Sequence, residues 1–172
     1  MPSQSRHPSF RRIASLAACI AALAVAPSAA ATETSAEVCW LNTDDDSYEC
    51  FDTYDEFAAA SGIGSARASL DGGVQPLATY TLATFYENAS YGGSSTYITT
   101  SNSSLCSGYH YYGSAMPSGW NDRVSSFTTA GTCRVKLWAN TGYSGSTYGP
   151  ADSASSLGAM NDEASSYQIY VP

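Results

Sequence analysis

Residues 121–126 read Asn-Asp-Arg-Val-Ser-Ser, and residues 161–166 repeat the pattern as Asn-Asp-Glu-Ala-Ser-Ser. Each hexapeptide follows a second shared signature, aromatic-x₄-aromatic-x-Gly, at residues 86–93 and again at residues 138–145. Serine is common in this chain, so either hexapeptide alone would carry little weight. Two bipartite signatures in the same order indicate an internal duplication with oxygen-bearing side chains at matched positions.

The chain from Tyr80 onward has the composition of a β protein. Short runs rich in β-branched and aromatic residues alternate with turns rich in Gly, Asn and Ser, and these runs are residues 80–86, 95–99, 124–128, 133–138 and 167–171. Such a pattern is typical of antiparallel strands. It predicts a sandwich of about 90 residues built from two Greek-key repeats.

The two repeats differ in length. Aligned on shared residues, Ser103-Ser104-Leu105 corresponds to Ser155-Ser156-Leu157. Fourteen residues then separate Leu105 from Trp120, against two between Leu157 and Met160, so the first repeat has an insertion of 14 − 2 = 12 residues. The insertion contains Cys106 and the aromatic run Tyr109, His110, Tyr111 and Tyr112.

These signatures resemble those of the βγ-crystallin family, specifically its microbial calcium-binding members, over about residues 80–171. In that family the aromatic signature forms the first hairpin of each Greek key, and the hexapeptide supplies most calcium ligands. The resemblance implies an all-β, βγ-crystallin-like sandwich of two Greek-key motifs. It also implies two Ca²⁺ sites that exchange donors across a pseudo-twofold axis.

Carried over by position, the resemblance implies two sets of oxygen ligands completed by water. The first site would use the backbone carbonyls of Glu87 and Glu163, the Asp122 carboxylate and the Ser165 hydroxyl. The second site would use the backbone carbonyls of Ala139 and Arg123, the Asp162 carboxylate and the Ser125 hydroxyl. Ca²⁺ is a hard cation that takes six to eight oxygen ligands, and ligand charge tunes its affinity. Because neutral Ala139 replaces Glu87, we expect the second site to be weaker.

An alternative is that both hexapeptides fold through Asx and Ser turns without an ion. Every position expected to bind through a side chain carries oxygen, which favours the metal sites. Ser126 and Ser166 are expected to hydrogen-bond the loops rather than the ion. Trp120 and Met160 are expected in the core.

Residues 1–31 have the pattern of a secretory signal peptide. Arg6, Arg11 and Arg12 precede an apolar run over residues 13–25, and small residues follow at 28–31. Residues 16–19 also fit a lipoprotein cleavage box ending at Cys19, with only about six apolar residues before it. The pattern predicts a secreted, extracellular protein.

The chain after this leader is strongly acidic. It keeps 7 − 3 = 4 basic residues against all 15 acidic ones, a formal net charge of 4 − 15 = −11. This charge argues against nucleic acid as a partner. No later segment has the roughly 18 apolar residues needed to span a bilayer. We expect a soluble monomer.

Four cysteines follow the leader, namely Cys39, Cys50, Cys106 and Cys133. An even number in an exported chain favours two disulfides over a metal cluster. Three pairings are possible, and the local pairing of Cys39 with Cys50 and of Cys106 with Cys133 is preferred.

Residues 32–78 differ from the domain at residues 79–172, because they hold ten of the 15 acids. Two β-prone runs around residues 42–47 predict a disulfide-closed hairpin. Thr53 and Glu56 form a capping-box pattern, and Gly62 is placed to end a helix. Together they predict a helix at about residues 54–60. Residues 62–76 are interpreted as a linker. So small a module either docks on the main domain or forms a tethered tail.

Asp44, Asp45 and Asp46 are interpreted as a solvated turn, because the other spacings of an EF-hand are absent. An enzyme is not expected, since His110 is the one histidine after the leader, and serine-hydrolase and zinc-protease motifs are missing.

The competing function is recognition by the insertion. A microbial metalloproteinase-inhibitor family and killer-toxin-like proteins share the crystallin-like fold. The loop at residues 106–119, with Tyr109, His110, Tyr111 and Tyr112, would then bind an extracellular protease or a glycan, because exposed tyrosines are good anchors. The other interpretation is that these aromatic side chains pack over the end of a sheet.

Overall fold

The computed structural model describes residues 36–63 and 79–172. The predicted signal peptide and most of the predicted linker lie outside the described residues. Among the residues that are described, no helix is long and apolar enough to cross a membrane.

The described residues form ten strands and one α-helix. The N-terminal part contains β1 (Val38–Asn42), β2 (Tyr48–Phe51) and α1 (Tyr54–Ser61). The first repeat contains β3 (Tyr80–Asn88), β4 (Gly92–Thr100), β5 (Tyr111–Gly113) and β6 (Ser126–Thr129). The second repeat contains β7 (Arg134–Asn140), β8 (Ser144–Ala151), β9 (Ser153–Ala154) and β10 (Ser166–Tyr170).

The strands form two sheets that exchange one strand between repeats. The first sheet has the order β2-β1-β4-β3-β6-β9, and the second has the order β5-β10-β7-β8. Thus β9 of the second repeat lies beside β6 of the first, and β5 of the first lies beside β10 of the second. The predicted all-β sandwich of two Greek keys is confirmed.

Apolar side chains from both sheets form one core. Phe85 of the first sheet packs edge-on against Tyr167 of the second, with 5.4 Å between ring centroids. Burying a side chain the size of Phe85 stabilises the fold by about 1.5–3 kcal/mol. Trp120 and Met160 are 1% and 7% exposed, so both belong to the core as predicted.

The structure corrects the alignment of the two repeats. Gly113 of β5 pairs with Tyr167 as Ala154 of β9 pairs with Phe127. The backbone N–H of Met116 donates to the Ser165 backbone carbonyl at 2.9 Å, and the N–H of Leu157 donates to the Ser125 backbone carbonyl at 3.0 Å. Met116 is therefore the counterpart of Leu157.

The sequence alignment, which matched Ser103-Ser104-Leu105 with Ser155-Ser156-Leu157, is wrong at this point. A shared Ser-Ser-Leu string arises easily in a serine-rich chain, whereas the paired hydrogen bonds follow the fold. The insertion lies before β5, between β4 and β5, and residues 111–113 form a strand of the second sheet.

The insertion is anchored at its middle and at its end. Cys106 forms a disulfide with Cys133, immediately before β7, which confirms the preferred pairing. The Tyr111 hydroxyl donates to the Leu105 carbonyl at 3.2 Å, and the ring packs against the core. Tyr109 and Tyr112 are 51% and 57% exposed, so the packing interpretation holds for Tyr111 but not for these two.

The N-terminal module, defined here as residues 36–63, docks on the first sheet. The predicted Cys39–Cys50 disulfide closes the β1–β2 hairpin, and β1 pairs in parallel with β4. The helix begins after Thr53, whose hydroxyl accepts from the Glu56 N–H at 3.3 Å, and ends at left-handed Gly62. Phe57 stacks on Tyr97 with 4.6 Å between ring centroids. Strand pairing and ring stacking together account for docking.

Asp44, Asp45 and Asp46 are exposed between β1 and β2, as predicted for a solvated turn, and hydrogen bonds also hold Asp44. Its carboxylate accepts hydrogen bonds from the Thr100 hydroxyl at 2.9 Å and from the Ser101 N–H at 2.6 Å. Partial burial opposes ionisation, but the hydrogen bonds from Ser101 and Thr100 outweigh it and lower the pKa of Asp44. Asp44 therefore fixes the hairpin turn to the end of β4.

Candidate metal centre

Each hexapeptide contains an aspartate in the left-handed backbone region. Asp122 has φ 55° and Asp162 has φ 56°. Asp and Asn adopt this conformation more readily than other residues with a Cβ, because their short side chains bond the local backbone. The repeated Asn-Asp pair therefore meets a backbone requirement and also places a carboxylate in each loop.

The last serine of each hexapeptide fixes the loop to its aromatic hairpin. The Ser126 hydroxyl donates to the Asn88 carbonyl at 2.6 Å and accepts from the Tyr91 N–H at 3.0 Å. The Ser166 hydroxyl makes the equivalent bonds: it donates to the Asn140 carbonyl at 2.7 Å and accepts from the Tyr143 N–H at 3.1 Å. The predicted structural role of these two serines is confirmed.

The two hexapeptides also hydrogen-bond each other symmetrically. The Asp122 N–H donates to the Ala164 carbonyl at 3.1 Å, and the Asp162 N–H donates to the Val124 carbonyl at 3.1 Å. This reciprocity places the loops around a pseudo-twofold axis. Each loop can therefore contribute donors to a site centred on the other.

The side-chain donors of each predicted site are adjacent. Ser165 Oγ donates to Asp122 Oδ1 at 3.2 Å in the first site, and Ser125 Oγ donates to Asp162 Oδ1 at 2.8 Å in the second. Both serines are buried, whereas both aspartates are exposed. Each pair therefore joins a buried hydroxyl of one repeat to a carboxylate of the other that solvent can reach.

Two of the predicted carbonyl donors, Glu87 and Ala139, follow residues whose carbonyls accept from the serine assigned to the other site. The Ser125 N–H donates to the Tyr86 carbonyl at 2.9 Å, and the Ser165 N–H donates to the Trp138 carbonyl at 2.8 Å. Glu87 and Ala139 are the next residues in their strands. Arg123 and Glu163 lie inside the hexapeptides, next to Asp122 and Asp162. The use of these four carbonyls as ligands stays a prediction.

The Glu87 carboxylate is engaged within the protein. It accepts from Arg123 at 3.0 Å and from the Ser94 N–H at 3.3 Å. Partial burial raises the pKa of Glu87, but the hydrogen bonds from Arg123 and Ser94 and the positive charge of Arg123 prevail and lower it. The Arg123 guanidinium also donates to the Gly119 carbonyl at 3.0 Å and lies 5.2 Å from the Trp120 ring centroid. Glu87 therefore adds no uncompensated charge.

This ion pair bears on the expected order of affinities. The positions that hold Glu87 and Arg123 in the first repeat hold Ala139 and Glu163 in the second. Glu87 and Arg123 together have a net charge of zero, whereas Ala139 and Glu163 together have a net charge of −1. Arg123 offsets the charge that Glu87 gives the first site, but Glu163 belongs to the ligand set of the first site and Arg123 to that of the second, so a weaker second site stays a prediction. The sequence carried a signal of this pairing, since both charged positions change together between the repeats.

One other cluster in the described residues has the spacing of a metal site, formed by Glu37, Cys39 and Cys50. Its two sulfur atoms are joined in the Cys39–Cys50 disulfide. A disulfide offers no thiolate for a metal ion. This cluster is therefore not a metal site.

No protein-family model matches the chain, and no curated protein matches it. Several solved structures are similar to it. A βγ-crystallin domain from Clostridium beijerinckii is 24% identical with a TM-score of 0.39, covering 52% of this chain and 97% of that one. A double mutant of clostrillin in complex with nickel is 24% identical with a TM-score of 0.38, covering 53% and 99%. A βγ-crystallin from Ciona intestinalis is 22% identical with a TM-score of 0.38, covering 49% and 94%. These are domains of the family that the two signatures resemble.

Proposed function

We propose that this protein binds two Ca²⁺ ions, one beside each pair of serine and aspartate donors, and that the ions stabilise the fold. The observation that carries the proposal is the pairing of Ser165 with Asp122 and of Ser125 with Asp162 across the repeats. Two equivalent clusters of oxygen atoms at related positions are what a duplicated cation site requires.

The chemistry of the donors fits Ca²⁺ better than a softer metal. Each set offers a carboxylate, a hydroxyl and backbone carbonyls, which are oxygen ligands of the kind Ca²⁺ prefers. Zn²⁺ and Cu²⁺ favour imidazole and thiolate, and neither group belongs to either set. The exposure of Asp122 and Asp162 leaves room for water in the coordination shell.

The position of the sites gives the ions a structural role. Each site takes its hydroxyl from one repeat and its carboxylate from the other, so a bound ion would join the two Greek keys. An ion that binds only the folded state adds RT ln(1 + [L]/Kd), about 2.7 kcal/mol per site at a hundredfold excess over Kd. Calcium would therefore act as a removable crosslink.

The charges of the two ligand sets support a second site that is the weaker one. Arg123 neutralises Glu87 near the first site, but Glu163 also belongs to the first ligand set, whereas the second set contains neutral Ala139 and basic Arg123. Kd values between about 10⁻⁶ and 10⁻³ M are the range of sensors and extracellular modules. We place the protein outside the cell, where its two disulfides are stable.

Thermal unfolding tests the proposal. The melting temperature is measured with a chelator, with millimolar CaCl₂ and with MgCl₂ at the same ionic strength. We expect calcium to raise it by several degrees and magnesium to raise it less, because Mg²⁺ demands stricter octahedral geometry. Equal melting temperatures with chelator and with calcium would contradict a stabilising ion.

A further inference from the structure

The charges of this acidic protein are unevenly distributed between its sheets. The described residues contain thirteen acids, eight in residues 36–63 and five in residues 79–172, against three bases. The four strands of the second sheet contain no Asp or Glu. Two of the three bases, Arg134 and Lys136, lie on its strand β7. The strands of the second sheet therefore carry two bases and no acid on an otherwise acidic molecule.

Both bases lie on the outer face of that sheet. Tyr167 and Ile169 are buried in the core, so Gln168 and Tyr170, which alternate with them on β10, face outward. The strand register places Gln168 beside Lys136 and Tyr170 beside Arg134. On the other flank of β10, the register places Tyr112 of β5 beside Gln168. Directly paired residues point to the same side of a sheet.

Aromatic rings surround these polar groups. His110, from the insertion, stacks on Tyr170 with 5.4 Å between centroids and 25° between planes. His110 lies 6.0 Å from the ring of Tyr112, and the Tyr112 hydroxyl is 3.1 Å from His110 Nδ1. Tyr112 remains 57% exposed. The outer aromatic face is defined as Arg134, Lys136, Gln168, Tyr170, His110 and Tyr112.

Further contacts hold this face in place. The Lys136 ammonium lies 4.9 Å from the Trp138 ring centroid, and Tyr143 packs edge-on against Trp138 at 5.4 Å. Tyr143 lies 6.3 Å from Tyr112. Rings and cations that are positioned before binding lose little entropy when a ligand arrives. Neither proposed metal site uses a side chain of this face.

We propose that the outer aromatic face binds a glycan that contains uronic acid residues. The flat C–H faces of pyranose rings pack well on exposed aromatic rings. The carboxylate of a uronic acid matches Arg134, whose guanidinium donates through Nη1 to the Cys133 carbonyl at 3.0 Å and keeps further N–H groups for the ligand. Lys136 adds a second positive charge. Gln168, between the rings and the cations, offers both a donor and an acceptor for sugar hydroxyls.

Charge complementarity selects this ligand from the alternatives. A neutral glycan would leave the segregation of Arg134 and Lys136 without a role. A nucleic acid needs several phosphate contacts to overcome repulsion, and this face has two cations on a protein with thirteen described acids. A glycan with spaced carboxylates meets two cations among aromatic rings without that dense charge.

Calorimetric titration with a short oligogalacturonate tests the proposal. It is performed with a calcium chelator, so that calcium bound to the uronates does not contribute and the result is independent of the metal sites. A neutral glucan oligomer of equal length is the comparison. We expect the uronate oligomer to bind and the neutral oligomer to bind at least about tenfold more weakly, a difference of about 1.4 kcal/mol.

Substitutions locate the binding surface. Arg134→Gln with Lys136→Gln, and separately Tyr112→Ala, should each weaken uronate binding at least about tenfold. The exchange Arg134→Lys with Lys136→Arg keeps the charge and should retain most of the binding. Tyr54→Ala removes a tyrosine of similar exposure, 50%, from α1 and should change nothing. Melting temperatures establish that each variant is folded.

Four results would overturn the proposal. They are no binding of the uronate oligomer, unchanged binding in the double Gln variant, equal binding of the neutral glucan, and equal binding of polyglutamate or single-stranded DNA. The last result would show a general affinity for polyanions. None of these results bears on calcium binding, which is measured separately.

Discussion

Ser125 of the first repeat donates a hydrogen bond to Asp162 of the second, with 2.8 Å between Oγ and Oδ1. The reciprocal bond, from Ser165 to Asp122, has a length of 3.2 Å. Both serines are buried at the junction of the repeats. Under the proposed function, each pair is the point at which one Ca²⁺ ion would be held by both repeats.

Replacing either aspartate should remove one of the two ions. We expect Asp122→Asn and Asp162→Asn each to lose about half of the increase in melting temperature that calcium produces, because an amide lacks the charge that Ca²⁺ requires. Thermal unfolding with and without calcium measures this. Asp152→Asn, an exposed aspartate outside both sites, is the matched control. A full calcium effect in both variants would show that the ligands are elsewhere.

Removing the cation beside the first site should strengthen that site. In Arg123→Gln, Glu87 regains an uncompensated charge, and we expect the calcium affinity of the first site to rise about two- to fivefold, as for a screened charge at several Å. Arg123→Lys keeps the charge and serves as the control. Titration of each variant in the Asp162→Asn background isolates the first site. A weaker first site in Arg123→Gln would contradict the electrostatic explanation.

The corrected alignment predicts which residue of the first repeat is essential to the core. Met116 is 8% exposed and Leu157 is 3% exposed, and Met116→Ala and Leu157→Ala should each lower the free energy of unfolding by about 2–5 kcal/mol. Leu105→Ala should lower it by less, because Leu105 is only half-buried. Chemical denaturation measures all three. A larger decrease in the free energy of unfolding for Leu105→Ala than for Met116→Ala would support the alignment of Leu105 with Leu157.

Shortening residues 107–118 would not isolate the insertion, because it would also remove β5 and Met116. We expect such a deletion to unfold the edge of the second sheet. Point substitutions at exposed Tyr109 and His110 leave the strand intact. They are the suitable test of protease inhibition by this loop, which stays a prediction.

The pH dependence of stability should reveal the role of Asp44. Its folded pKa lies below the ordinary value of 3.8, so ionised Asp44 stabilises the folded state. This contribution is fully present above pH 3.8 and is lost as pH falls through the lowered folded pKa.

Wild type should therefore exceed Asp44→Asn in free energy of unfolding by up to about 1 kcal/mol near neutral pH, since the carboxylate is exposed. The difference should shrink as the pH falls through the lowered folded pKa of Asp44 and vanish below it. Denaturation across this range, in the presence of a chelator, measures it. Asp46→Asn, in the same turn, is the control. A constant difference at all pH values would exclude ionisation as the cause.

The sequence predicted the features that depend on local chemistry. The duplicated signatures and the helix after Thr53 follow from spacing and residue type, and the structure also contains the disulfide pairing that was preferred among three. The adjacency of Ser125 and Asp162 was implied by the family resemblance. Short patterns succeed where the backbone conformation is set by nearby residues.

Features that depend on packing between distant segments were missed. The parallel pairing of β1 with β4 joins residues more than fifty positions apart, and nothing in either strand specifies its neighbour. The position of the insertion was misread because Ser-Ser-Leu recurs without structural meaning. The Arg123–Glu87 pair joins two segments 36 residues apart, and a comparison of each position with its counterpart in the other repeat does not predict it.

Isothermal titration calorimetry of the protein with CaCl₂ tests the central claim most directly, because it counts the ions. We predict two ions per chain for the wild type and one ion per chain for each of the variants Asp122→Asn and Asp162→Asn. Because a different site remains in each variant, the two variants should differ in calcium affinity. Asp152→Asn should bind two. No heat of binding at millimolar calcium, or an unchanged count in both site variants, would contradict the assignment of two calcium sites to the paired hexapeptides.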